Sequence, residues 1–362
     1  MPRHDYAALG ERGIQELLDA EHAVVWPEVE AKLADRQWPT LPVPIQPHHL
    51  TTARHRLLDQ GIIANVTQAT RGGRPVPVIV PVEQRLRKRA ITDAAARKRL
   101  LQTRFLTWAS GSTQSGAGVI GPAGEHVVHT ALCAAGPSGY RLLNPGTGVV
   151  TAMLGAPIPG GSLDNGAFLT TIDQHTLTPS GQYVVPVEVK NVRSWIHTGA
   201  AELHQLLDKA ARLQLAHPTY RFLPVLVCRR LLYPLGQVAE NLGFYVIQTK
   251  RQYVPPALDA QQLAEVTAEL GYDLEPYATD PPPALVRHFT HTLQSVAERT
   301  ADRWAVSAEH LGDYFHTLRD PRLRTADRSA ITREMLEVAE HVHEQTPRKR
   351  RMVTEIGDDI PF

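Results

Sequence analysis

Cysteine is scarce in this chain. The 362 residues contain only Cys133 and Cys228, both in apolar surroundings. Two such cysteines build neither a disulfide framework nor a zinc ribbon, so a reducing cytoplasm is the expected setting. Net charge is also nearly absent, at +1. No apolar run is long enough to span a bilayer, and no signal-like stretch opens the sequence, so a membrane role is not expected. No internal repeat is evident. What remains, at 43% hydrophobic and 21% charged residues, has the composition of a globular protein long enough for two or three domains.

The balanced total hides an uneven distribution. Between Thr51 and Phe105 lie twelve Lys and Arg against three acids (Asp59, Glu83, Asp93), a surplus of nine positive charges. A cationic segment in a nearly neutral protein suits contact with a phosphate backbone; a solvated helix face is the plainer alternative. Residues 11–36 carry Ile14, Leu17, Leu18, Val25, Val29 and Leu33 at helical spacing. A proline-rich connector, Pro39 to Pro47, precedes a second helix near 50–60, with Thr51 or Thr52 as its expected cap and Gly61 as its stop. Two β-rich runs, 62–70 and 75–82, flank Arg71-Gly72-Gly73-Arg74, a hairpin signal. Helix, helix and basic hairpin together resemble a winged helix-turn-helix. That resemblance implies that the second helix enters the DNA major groove while the hairpin follows the backbone, with Arg54, Arg56, Arg71 and Arg74 as contacts.

The chemistry concentrates between Gly160 and Trp195. Inside the apolar run from Tyr183, Glu188 and Lys190 stand two apart and so share one face of a strand. An acid and a base in such a strand are costly unless paired or used. Upstream, Asp164 opens another apolar strand and can sit beside Glu188 at its mouth; Asp173 is its rival for the same role. Two carboxylates and a strand carbonyl are hard oxygen ligands of the kind Mg²⁺ prefers. Ser110 to Gly124 is a Gly/Ser-rich joint whose Gly116 to Gly121 spells G-x-G-x-x-G. Pro122 follows at once and no strand precedes it, which removes the dinucleotide-binding reading. His126 and His129 follow Glu125 in the order E-H-x-x-H, which is not the zinc-protease order. On the helix expected at 199–216, Lys209 and Gln214 could face the site, with surface positions as the plainer reading.

Asp164 followed by Glu188-Val189-Lys190 resembles the PD-(D/E)xK superfamily, the restriction-endonuclease-like fold, over roughly residues 118–255. Leu163 stands where the family often has proline. The resemblance implies an α/β core running helix, three strands, helix, strand, as a mixed sheet flanked by helices. It implies Asp164, Glu188 and the Val189 carbonyl as metal ligands for Mg²⁺, with Mn²⁺ as a substitute. Lys190 would steady the water and the phosphate, and Glu125 on the first helix would orient water or a second metal. Many relatives cut as dimers, so a homodimer is compatible.

The expected organisation is therefore a winged-helix-like domain at 1–85, a basic helical linker at 86–117, a nuclease-like domain at 118–256, a helical region at 257–346 and an unstructured tail at 347–362. Helices are expected at 259–270, 283–300, 307–318 and 329–345. The tail ends Asp358-Asp359-Ile360-Pro361-Phe362, which resembles the C-terminal tip of bacterial single-stranded-DNA-binding proteins. That implies docking onto DNA-processing proteins that hold such tips. The expected function is a Mg²⁺-dependent DNA endonuclease; richness in Ala, Arg and Pro suits a bacterial defence or mobile-element setting. The competing expectation is a catalytically inactive DNA-binding regulator on the same fold.

Overall fold

The structure is a computed structural model that describes residues 5–68, 75–82, 87–112, 116–173 and 175–345. The chain is mixed α/β. Arg71, Arg74 and the tip Asp358 to Phe362 lie outside the described residues.

Helix α1 (Tyr6–Glu21) starts at Asp5, whose Oδ1 accepts the Ala7 and Ala8 N–H groups at 3.1 Å each. The single helix expected over 11–36 is broken. His22 turns left-handed, and Val24 pairs with Ile79 instead of continuing the helix. Helix α2 (Trp26–Leu33) restarts behind half of a capping box: the Val25 N–H donates to the Glu28 carboxylate, while Val25 has no side-chain acceptor to return the bond. Helix α3 (Pro47–Asp59) begins earlier than expected, with Pro47 in its first turn. Thr51 and Thr52 are therefore interior, their hydroxyls donating to the carbonyls of Pro47 and His48. Gly61, at φ +68°, turns the chain into β1 (Ile63–Gln68), which pairs antiparallel with β2 (Val76–Pro81).

Helix α4 (Lys88–Ser110) buries Leu101, Phe105 and Trp108 and leads into α5 (Ile120–Ala134). The central sheet follows. Its strands are β3 (Tyr140–Leu142), β6 (Asn165–Ile172), β7 (Pro179–Lys190), β8 (Val225–Cys228) and β9 (Tyr245–Gln248), in that spatial order. A small hairpin, β4 (Ala152–Met153) with β5 (Ala156–Pro157), interrupts the run. β3, β6 and β7 are mutually antiparallel, while β7, β8 and β9 are parallel. Parallel neighbours need crossovers, supplied by α6 (Ala201–Ala216) and α7 (Tyr233–Leu242).

Alternation along β7 sorts the two faces. Val185, Val187 and Val189 pack with Val127, Val128 and Leu132 of α5. Val184 joins Leu226 and Cys228 under Leu203, Leu206 and Leu207 of α6. Period two therefore assigns Glu188 and Lys190 to the α6 face.

The region after residue 256 divides into two packing units. Helix α8 (Ala260–Leu270), between the parallel pair β10 (Gln252–Val254) and β11 (Leu274–Pro276), packs on α4 with Phe105 and Trp108. Helix α9 (Pro283–Arg287), a wide π-type turn at His288–Leu293 and α10 (Gln294–Leu318) run on without the break expected between 300 and 307. Trp304, Ala308, Leu311 and Phe315 carry the buried stripe of α10 through that point. Helix α10 covers α6, and α11 (Thr325–Gln345) covers α10.

A buried ion network joins the amino-terminal helices to the sheet. Asp35, just past α2, binds Arg229 at 2.9 Å and also meets Arg193. Asp273 binds the same two arginines at 2.8 and 2.6 Å.

Candidate active site

Strand register brings the acids together. Asn165 opposes Val187, so one antiparallel step further Asp164 opposes Glu188. Asp164 Oδ2 accepts the Val189 N–H at 2.7 Å. Glu188 is buried, and its Oε1 accepts a hydrogen bond from Lys190 Nζ at 2.9 Å. Asp164, Glu188, Val189 and Lys190 thus form one cluster at the carboxyl end of β7. Asp173 is elsewhere: its Oδ1 accepts the N–H groups of His175 and Thr176 in a turn beyond β6.

Lys209 faces the site, the alternative to the plainer surface reading. It is buried, and its Nζ donates to Glu188 Oε2 at 3.2 Å and to the Ser162 carbonyl at 2.6 Å. The sequence did hold a signal, since Lys209 is three residues after Leu206 and four before Leu213, within the apolar stripe. Gln214 is buried too, donating to the Tyr220 carbonyl and accepting from the Phe222 N–H. Both are covered because α6 lies between the sheet and α10.

The supporting shell comes from α5 and the loops. Glu125 is half-buried on α5 and close enough to feel the charges of Lys190 and Glu188. His129 is buried, with Nδ1 3.0 Å from Asn165 Oδ1 and Nε2 3.1 Å from the Pro145 carbonyl, which pins the residue beside Asp164. His126 is exposed and lies against the Tyr277 ring. Asn191, which the sequence reading passed over, donates to the carbonyls of Ile120 and Tyr253 at 2.6 and 2.7 Å. It ties the end of β7 to the start of α5. Gly124 permits that approach, because a Cβ there would lie 2.4 Å from Asn191 Cβ.

Electrostatics follow from burial and crowding. Desolvation, then repulsion from Glu188, pushes the Asp164 carboxyl up to about 6. Desolvation also raises Glu125. Burial works against the charge on Lys190, but Glu188 outweighs it and the ammonium is held above its ordinary range. Among the described residues, no three His, Cys, Asp or Glu side chains are grouped to hold a metal ion. The available donor set is two carboxylates, Asp164 and Glu188, with the Val189 carbonyl. It suits a hard divalent cation, because the mutual repulsion that raises Asp164 is relieved by positive charge. A groove of about 360 Å³ lined by Gln46, Trp195, Tyr233 and Gln248 does not include these carboxylates.

The cationic segment is less open than its local count suggests. Arg54 lies 5.0 Å over the Trp26 ring and donates to Asn65 Oδ1, and burial pulls its pKa down. Arg56 bonds Glu11 at 3.1 Å. Lys98 is buried between Glu21 and Glu28, and Arg97 and Arg104 pair with Glu269 and Glu265. A window along the sequence counts cations but not the acids that fold against them.

Scans of the chain against family models, curated proteins and solved structures found no match. Among the described residues, no helix is long and apolar enough to cross a membrane.

Proposed function

We propose that this protein is a Mg²⁺-dependent DNA endonuclease built on a restriction-endonuclease-like core. The observation that carries the reading is the convergence of Asp164, Glu188 and Lys190 through the 2.7 Å Val189 N–H bond and the 2.9 Å Glu188–Lys190 pair. The order α5, then β3, β6 and β7, then α6 and β8 supports it, being the helix, three strands, helix and strand of that family.

Asp164, Glu188 and the Val189 carbonyl would hold the cation. When bound, it would draw electron density from a phosphate oxygen and ease deprotonation of a nearby water. Lys190 donates to the attacking water or to the phosphoryl oxygen on which charge develops. Glu125, at the edge of the cluster, orients that water. The water oxygen bonds to phosphorus as one ester P–O bond breaks, with no covalent enzyme intermediate.

The amino-terminal order supports a winged-helix reader: α1, the strand-like Val24 paired to β2, α2, α3, then the β1–β2 hairpin. Thr51, Thr52, His55 and Arg56 lie on the exposed face of α3 and would meet the groove. Asp358 to Phe362 would recruit partners that hold the tips of single-stranded-DNA-binding proteins.

A second reading draws on the lysines. Both Glu188 oxygens are already matched by ammonium groups, which suits a DNA-binding protein that does not cut. Supercoiled plasmid separates the two. The nuclease nicks it with Mg²⁺ but not with EDTA, and Lys190→Ala does not nick it. A non-cutting protein shows salt-sensitive binding with neither behaviour.

A further inference from the structure

Lys209 has no part in the reaction just described, yet it touches both segments that carry the acids. Its ammonium bridges Glu188 on β7 and the carbonyl of Ser162, two residues before Asp164. Lys190 is held differently. Its Nζ donates to Glu188 alone among the described residues, and its side chain is 17% exposed against 7% for Lys209. One lysine is free to leave the carboxylate; the other is tethered at two points beneath α6.

We propose that Lys209 is a positioning residue that takes the place of a second divalent cation, so that the site accepts one ion. This deepens the cleavage reading and rests on it. Glu125, Asp164 and Glu188 bring three negative charges when ionised, and Lys190 and Lys209 bring two positive ones. One divalent ion and one phosphodiester charge then make the site neutral. A second divalent ion would leave a surplus of two positive charges beside an ammonium that cannot withdraw, which is costly at low dielectric. With an ion held by Asp164 and Glu188, Lys190 would turn to water or phosphate, and Lys209 would keep the Asp164 and Glu188 segments at a fixed spacing.

Calorimetric titration of the full chain with Ca²⁺ in the presence of saturating short duplex DNA, with the duplex alone as the blank, tests this. The wild type takes one ion per chain, Lys209→Met takes two, and Lys209→Arg, which restores the charge, returns to one. Thermal melting checks folding. Should Lys209→Met not fold, Lys209→Gln keeps a donor for the Ser162 carbonyl and carries the same expectation. A folded neutral variant that still takes a single ion overturns the inference and leaves the cleavage reading intact, as does a wild type that takes two. A wild type that takes none overturns both.

Discussion

Asp164 holds its place beside Glu188 at a cost in stability. Its carboxyl, pushed to about 6, binds a proton more readily in the native state than in the unfolded chain, where 3.8 is ordinary. Stability from this group is therefore present at low pH and falls as pH rises through the window from about 3.8 to about 6. Asp164→Asn keeps an acceptor for the Val189 N–H and removes that cost. It should be more stable at pH 7.5 by about 1–3 kcal/mol, with the gain vanishing below pH ~4, while cleavage is lost. Denaturant melts at the two pH values check the first part. Binding of Mg²⁺ by the wild type should weaken as pH falls through about 6, where Asp164 becomes neutral in the metal-free protein. At this scale Asp164, Glu188 and Lys190 were legible because charges two apart on an apolar strand are conspicuous. Lys209 and Asn191 were not, because their partners lie far along the chain and only tertiary packing brings them in.

At the scale of elements, the site depends on the seam between α5 and the end of β7. Gly124 and Asn191 set that seam. Gly124→Ala inserts a methyl where Asn191 stands and should cost about 1–3 kcal/mol by overpacking. It should also lower cleavage, because Glu125 moves with the helix. Gly121→Ala, whose Cβ would approach only a Glu125 oxygen at 4.0 Å, should be far milder in a thermal melt. Most helices and strands of the central sheet follow from periodicity, since β7 and β8 are apolar runs and α6 carries a clear stripe. The split between α1 and α2 does not. Apolar spacing continues across His22 to Val25, and only the competing pairing of Val24 with Ile79 breaks the helix. The continuous α10 was missed across residues 301–306, where Ala301 and Trp304 carry the buried stripe through a stretch that also holds Asp302 and Arg303.

Across the whole molecule, the amino-terminal helices are fastened to the sheet by opposite charges out of water. Asp35 and Asp273 each meet Arg193 and Arg229, and Arg230 also reaches Asp35 at 3.0 Å. Asp35→Ala leaves Arg193 and Arg229 sharing Asp273 alone and takes the carboxylate from Arg230, and should cost about 3–5 kcal/mol, read as an earlier denaturant midpoint. Asp19→Ala, which removes an exposed partner of Arg87, should change stability by less than about 1 kcal/mol. The same pairing explains why the surplus of positive charge seen along 51–105 overstates the phosphate-binding surface: folding sets Glu21, Glu28, Glu265 and Glu269 against it. The central claim is that two carboxylates and a lysine from adjoining strands surround one divalent cation. Anomalous scattering from crystals soaked in Mn²⁺ tests it most directly. The account predicts a single peak within bonding distance of Asp164, Glu188 and the Val189 carbonyl, with Lys209 still on Glu188. No peak there, with both lysines still closed on the glutamate, would contradict it.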